Sequence, residues 1–247
     1  MTHVPMLIRR ELASYWFSPI AYVILAVFMV INGWTFWILT TALNNPSFTM
    51  TGSVMQIFFG GTFFFWFCLI LICPAITMRL FSEERRLGTI EMLMTAPVRE
   101  WEIVMGKFLG AWIFYALLWA PTLFYMFVLR AHTSVDMGPV WSGYIGTLLA
   151  GGVLLSIGVF ASALTSNQIV AAVVAFAVIL LLFSFGLVGL LLQGEEMQGF
   201  ISYVSILNHF SEFSKGIIDT RRIAFYASLI IVNLLGAIWV LESQRWR

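Results

Sequence analysis

The sequence predicts an all-α integral membrane protein with six transmembrane helices, and three observations carry that expectation. Mean hydropathy is +0.94, with 61% hydrophobic and 10% charged residues. Globular domains carry about 25% charge, so a soluble fold is excluded. Six stretches lack any Asp, Glu, Lys, Arg or His: about 20–43, 57–78, 108–129, 144–164, 169–192 and 224–241. Each comes near the ~20 residues that cross a core of about 30 Å at about 1.5 Å per residue. Finally, Arg9, Arg10, Arg79, Arg85, Arg86, Arg99, Lys107, Arg245 and Arg247 fall on one side of a six-span threading, and only Arg130, Lys215, Arg221 and Arg222 on the other. That bias puts both termini and the 79–107 loop in the cytoplasm. Residues 1–247 read as one transmembrane domain, without an internal repeat or a soluble module.

Before the first span, Leu7, Ile8, Leu12, Tyr15 and Trp16 recur at intervals of three and four, with Arg9, Arg10 and Ser14 between them and Pro19 closing the segment. This pattern predicts an interfacial helix with its aromatics at headgroup depth and its arginines facing anionic lipid or a protein. The blander reading is a helix that only anchors span one. Span one itself is too long for the apolar core of a cleavable signal and is expected to be retained.

Span two opens on an aromatic run, Phe58, Phe59, Phe63, Phe64, Phe65, Trp66 and Phe67, around Gly60 and Gly61. Phe63, Phe64 and Phe67 either line a route for an amphiphilic substrate or face lipid and packing neighbours. Cys68 and Cys73, the only cysteines, lie within this span and read as small packed hydrophobes. Pro74 and, in span three, Pro121 predict kinks. Span four is rich in small residues, Gly146, Ala150, Gly152 and Ser156, which favour close helix approach. Only residues 165–168 join spans four and five, which must form a tight hairpin. The segment 194–223 is half apolar, with Phe200, Tyr203, Val204, Leu207 and Phe210 at helical spacing and Gly216 as a stop. Glu195, Glu196, His209 and Glu212 keep it from crossing, so one or two short external helices are expected before span six.

The chemistry these residues exclude narrows the function. No ionisable residue falls in the six apolar blocks, which argues against an ion-coupled transporter, a voltage sensor or an intramembrane carboxylate enzyme. His3, His132 and His209 all lie outside the blocks, no zinc-protease pattern occurs, and no phosphate loop is present. The chain is expected not to be an enzyme and not to hydrolyse ATP.

Charge concentrates instead between Arg79 and Lys107. Ser82 is expected to cap a helix whose first turn carries Glu83 and Glu84, near the positive end of the dipole. Gly88 permits a bend. Thr89 then precedes the apolar stripe Ile90, Leu93 and Met94 beside Glu91, and Pro97 ends that turn. A short amphipathic helix joined rigidly to spans two and three suits docking into a groove on a cytoplasmic partner. The plainer alternative is a solvated positive-inside loop.

The run Glu84, Arg85, Gly88, Thr89, Glu91, Leu93 and Pro97, followed by Gly106 and Lys107, resembles the cytoplasmic loop of ABC-2 type permeases, the six-span subunits of ATP-binding-cassette exporters. Arg10-Glu11-Leu12 through Ser18-Pro19-Ile20, the exit Pro74 to Arg79, and Asn208-His209-Phe210 with Gly216 to Asp219 look closest to the gliding-motility, GldF-like branch. The resemblance implies a coupling helix from Glu83 to Leu93 that meets the ATPase through Glu83, Glu84, Arg85, Gly88, Thr89, Glu91 and Leu93. It also implies an elbow helix over residues 6–17, including Arg9, Arg10, Glu11 and Trp16, and a path lined chiefly by spans two and five, where Phe63, Phe64 and Phe67 would lie.

The implied partners are two ABC ATPase subunits, a second permease subunit, identical or not, and membrane lipid, with no nucleic acid. The chain itself would hold no cofactor, since ATP and magnesium belong to the ATPase. The expected location is the bacterial inner membrane. Two other classes compete with an export permease. One is a membrane anchor that recruits a machine without transporting anything. The other is an intramembrane enzyme or uncoupled channel, which the missing intramembrane polar groups disfavour.

Overall fold

A computed structural model describes residues 3–43, 56–90, 98–132, 136–191 and 205–245. Its elements are α1 (Val4–Trp16), α2 (Pro19–Leu43), a π-helical turn (Ile57–Gly61), α3 (Phe63–Thr77), α4 (Ser82–Arg86), α5 (Glu100–Trp119), a 3₁₀ turn (Ala120–Thr122), α6 (Leu123–His132), α7 (Met137–Leu164), α8 (Gln168–Leu191), α9 (Ile206–Ser214) and α10 (Thr220–Arg245). No strand occurs among the described residues. Six helices are long and apolar enough to cross a membrane, so this is a multi-pass, all-α membrane protein.

The central helix is α7, with 78% of its most apolar window buried against 17–50% for the other spans. Helices α3, α5, α8 and α10 all pack on it, and α9 covers one end. Its small residues set these approaches. Gly143 faces the Phe59 ring, Gly146 faces Phe213, Gly151 abuts Tyr115 and Gly158 abuts Thr77. Asp136 caps the helix by accepting a hydrogen bond from the Gly138 amide at 3.0 Å. The expected hairpin into α8 is present: Asn167 Oδ1 accepts from the Ile169 amide at 2.9 Å, and Thr165 Oγ1 from the Asn167 amide at 3.1 Å.

Three boundaries differ from the apolar blocks. Span two begins as a helix at Phe63, because Phe59 (φ −90°, ψ 99°) and Gly60 (φ 84°) leave helical geometry and break the chain just before it. At Pro121 the third span passes through the 3₁₀ turn Ala120–Thr122, since proline supplies no amide for the α ladder. The same span starts at Glu100 rather than Phe108, which draws Glu102 and Lys107 into a membrane helix. The expectation of spans free of ionisable groups therefore fails at this end. Helix α5 can begin so early because the Glu102 carboxylate accepts from the Arg99 amide at 3.2 Å, the acidic half of a capping box at its first turn.

Candidate functional site

Helix α1 lies against α5, and the contact is unusually close. A Cβ built on Gly106 would stand 2.6 Å from Leu7 Cβ, and one on Gly110 would stand 2.8 Å from Glu11 Cβ. Only glycine at both positions lets the two helices meet at this distance. The face that α1 buries is Leu7, Glu11 and Tyr15, which corrects the expectation of a headgroup-depth aromatic for Tyr15. Tyr15 is 2% exposed, stacks on Phe114 at 4.5 Å and donates to the Ile76 carbonyl at 2.9 Å. Arg9 and Trp16 remain on the exposed side of the helix. The carboxylate of Glu102 accepts from the His3 amide at 3.2 Å, tying the start of α1 to the start of α5.

At the centre of this junction sits Lys107, 2% exposed. Its ammonium donates to Glu11 Oε1 at 3.1 Å and the Leu80 carbonyl at 2.6 Å, pairs with Glu84 Oε1 at 3.0 Å, and stands 5.1 Å from the centre of the Phe81 ring. Two hydrogen-bond acceptors and a second carboxylate thus surround the charge. Arg10 closes the cluster from the solvent side, 2.6 Å from Glu84 and 3.2 Å from Glu11. Two acids and two bases thus balance, and they come from α1, α4 and α5. A buried ammonium is tolerable only with such pairing. Sequence reading treated Lys107 as the edge of an apolar block.

Helix α4 is only partly as anticipated. Ser82 does not cap it; Phe81 stands at the cap position, and Ser82 is fully buried with its hydroxyl turned back to the Met78 carbonyl. The capping oxygen comes from α7, where Ser162 Oγ accepts from the Phe81 amide at 3.0 Å and the Ser82 amide at 3.2 Å while donating to Met78 O at 3.1 Å. Helix α4 is therefore held to the central helix by hydrogen bonds no local pattern could reveal. Arg79 reaches back to Ser18 and covers the Tyr15 ring at 5.0 Å. Gly88 ends α4 with φ +70°, as its bend required, and Thr89 Oγ1 donates to the free Glu84 carbonyl at 3.3 Å.

Of the residues singled out for a partner contact, Glu84 points inward to the ion cluster, and Glu83 and Arg85 are half-buried. Arg86, Leu87, Gly88 and Thr89 form the exposed tip, with Leu87 62% exposed. Sequence reading missed Arg86 and Leu87. An apolar residue beside a helix-ending glycine, with charge all around it, was the available clue. Glu91 and Leu93 lie outside the described residues.

At the far end of the bundle, the aromatic run of span two divides. Phe58, Phe59 and Phe65 are buried, whereas Phe63 is 74% exposed and Phe64 and Phe67 are each 40% exposed on the outward flank. Phe63 and Phe64 border an apolar cavity of about 270 Å³ shared with Thr35, Ile38 and Ile57. Helix α9 lies over this end with Ile206, Phe210 and Phe213 buried, and Gly216 (φ +90°) stops it as expected. Arg222 of α10 fixes α9 by donating to both Glu212 oxygens at 2.9 Å and to His209 Nε2 at 2.8 Å. Because guanidinium can only donate, His209 Nε2 is the acceptor there. The Arg222 hydrogen bonds hold the Glu212 carboxyl below the usual glutamate range. Phe200, Tyr203 and Val204 lie outside the described residues. Among the described residues, no three His, Cys, Asp or Glu side chains cluster as a metal site would require.

Six apolar spans, one of them a glycine-lined central helix, with an amphipathic helix and a charged loop locked together at one end, define a polytopic membrane subunit of the permease class. Residues 37–241 match the family described as ABC-2 family transporter protein, and the chain belongs to that family. It is accordingly a membrane permease subunit of an ATP-binding-cassette transporter, a class whose partners are ABC ATPases. The match begins within α2, so α1 stands outside it. No curated protein is a significant match to the chain.

Proposed function

We propose that this chain is the export permease of an ATPase-driven complex in a bacterial inner membrane, with both termini and the α4 end cytoplasmic. The observation that carries this reading is the Lys107 cluster. It joins α1, α4 and α5 through buried charge, so a push on α4 moves α1 and the third span together. Ser162 extends the same connection to the central helix. The exposed tip Arg86 to Thr89 is the surface left for an ATPase groove, with Leu87 as the apolar anchor. Glu91 and Leu93 continue that contact in the same reading. The chain is non-catalytic, and ATP and magnesium are held by the ATPase.

Two ATPase subunits and a second permease complete the complex. The outward flanks of α3 (Phe63, Phe67, Leu71) and α8 (Val173, Leu181, Phe185) are apolar and exposed, which supports a path formed where two permeases face each other. The motifs around Pro74 to Arg79 and Asn208 to Phe210 support a relation to the gliding-motility branch.

The test is Leu87→Asp combined with Arg86→Glu in the purified complex. Loss of ATPase co-purification and of nucleotide-dependent transport, with unchanged thermal stability of the permease, is the expected outcome. Full transport by the double variant would remove the docking role. Function retained with a hydrolysis-dead ATPase would point instead to an anchor.

A further inference from the structure

The second cavity of the far end belongs to none of the machinery above. It has a volume of about 270 Å³ and lies where α9 crosses the turn that precedes α3. Trp66 and Leu207 are its open apolar wall, backed by the fully buried Phe59 and Phe210 rings. The wall is rigidly set. Trp66 Nε1 donates to the Gly60 carbonyl at 3.0 Å, and Phe210 packs so close to Gly60 that a Cβ there would stand 2.7 Å from its ring. Gly60, with φ +84°, is the one residue type that both fits this gap and adopts this backbone.

The rim is polar, with Gln56, Ser211 and Ser214 along it. The Ser211 hydroxyl is spent on the Asn208 carbonyl at 2.7 Å and the Ser214 hydroxyl on the Ser211 carbonyl at 2.8 Å. Both keep lone pairs toward the cavity, not protons. The cation at the rim is Lys215, exposed and without an ion pair among the described residues. The nearest acid in sequence, Glu212, is already engaged by Arg222 through both oxygens and does not neutralise it. An apolar pocket whose mouth carries an ammonium that no described acid neutralises is complementary to a negative head on an apolar body.

We propose that this cavity binds an amphiphile with an anionic head group drawn from the surrounding bilayer, its head on Lys215 and the adjoining apolar part against Trp66 and Leu207. The volume admits about nine water-sized groups at ~30 Å³ each, enough for a head group and the first carbons of its tail but not for a whole lipid. The tail must then leave toward the bilayer, and the position of α9 across the helix ends puts the mouth at the level where head groups lie.

The test uses the full chain in lipid nanodiscs with a phosphatidylglycerol carrying a diazirine near the head of its acyl chain, compared with the same label on phosphatidylcholine. Photolabelling mapped by mass spectrometry is expected on residues 56–66 and 207–215, about fivefold stronger from the anionic lipid, the size of one surface cation's preference. Lys215→Gln should bring anionic labelling down to the zwitterionic level. Ser211→Trp, which fills the mouth, should abolish both, while Lys215→Gln alone decides the matter if that variant does not fold. Equal labelling by the two lipids, or an unaffected Lys215→Gln variant, overturns the proposal. Displacement of the label by millimolar inorganic phosphate also overturns it, because the site would then hold a bare anion rather than an amphiphile.

Discussion

Lys107→Met and Arg10→Met remove cations that bridge the same two carboxylate oxygens, yet the structure predicts very different costs. Lys107 Nζ stands 3.1 and 3.0 Å from Glu11 and Glu84, and Arg10 Nη2 stands 3.2 and 2.6 Å from the same atoms. The side chains differ in exposure, 3% for Lys107 against 50% for Arg10. An ion pair open to water contributes about 0–1 kcal/mol, so Arg10→Met should cost that little. Without Lys107, the two acids lie no more than about 6 Å apart at low exposure, a repulsion of about 3 kcal/mol at an effective dielectric of ~20. The Leu80 carbonyl also loses its donor. Arg10 remains to offset part of this, leaving about 2–3 kcal/mol, below the ~3–5 kcal/mol of a fully uncompensated buried partner. At about 2–4 °C per kcal/mol for a chain of this size, Lys107→Met should lower the melting temperature by roughly 5–10 °C and Arg10→Met by at most a few degrees. Intrinsic tryptophan fluorescence of the purified protein reads this directly, with ten tryptophans in the chain. The double variant Lys107→Met with Glu11→Gln should recover most of the loss, because the remaining Arg10–Glu84 pair is neutral. Equal destabilisation by the two single variants, or additivity in the double, would refute the reasoning that burial makes Lys107 the centre of the junction.

Gly106→Ala should push α1 off α5, since the added Cβ lands 2.6 Å from Leu7 Cβ; overpacking of this kind costs about 1–3 kcal/mol and should lower the melting temperature, and Leu7→Ala in the same chain should not restore it, because alanine keeps the clashing Cβ. Ser162→Ala strands the Phe81 and Ser82 amides, a loss of about 1–3 kcal/mol, and hydrogen exchange at those two amides should accelerate while the middle of α7 stays protected. Glu212 is held below its ordinary range by Arg222, so its contribution is present above the unfolded glutamate value of about 4.3 and fades as pH falls through the lower folded value. Protection of 206–214 should therefore drop in acid, and the drop should vanish in Glu212→Gln, which is already weakened at neutral pH.

Much of the fold is legible along the chain because a bilayer imposes simple rules. A block of apolar residues has one acceptable conformation in hydrocarbon, a helix, since every backbone amide must be satisfied internally. Hence six spans, the 165–168 hairpin, the left-handed stops at Gly88 and Gly216 and the small-residue faces of the fourth span could all be anticipated. The junction could not. Hydropathy trimmed the third span at Lys107 because it scores a charge by type, whereas the charge there is cancelled by residues 96 and 23 positions away. Ser82 looked like a cap because serine so often is one; the true capping hydroxyl, Ser162, is supplied by a different helix. Phe63, Phe64 and Phe67 read as one group with Phe58, Phe59 and Phe65 until the break at Gly60 turned the two sets in different directions.

By itself, then, the chain determined its solvent and its threading: apolar blocks of membrane length must become crossing helices, and their count follows from composition alone. Which groups meet was decided only in three dimensions. Glycine at 106 and 110 brings α1 within reach of α5, and only at that distance do Glu11, Glu84 and Lys107 neutralise one another. The physical reason is that hydrophobic partition acts on each segment separately, while the stability of a buried charge depends on what stands about 3 Å away.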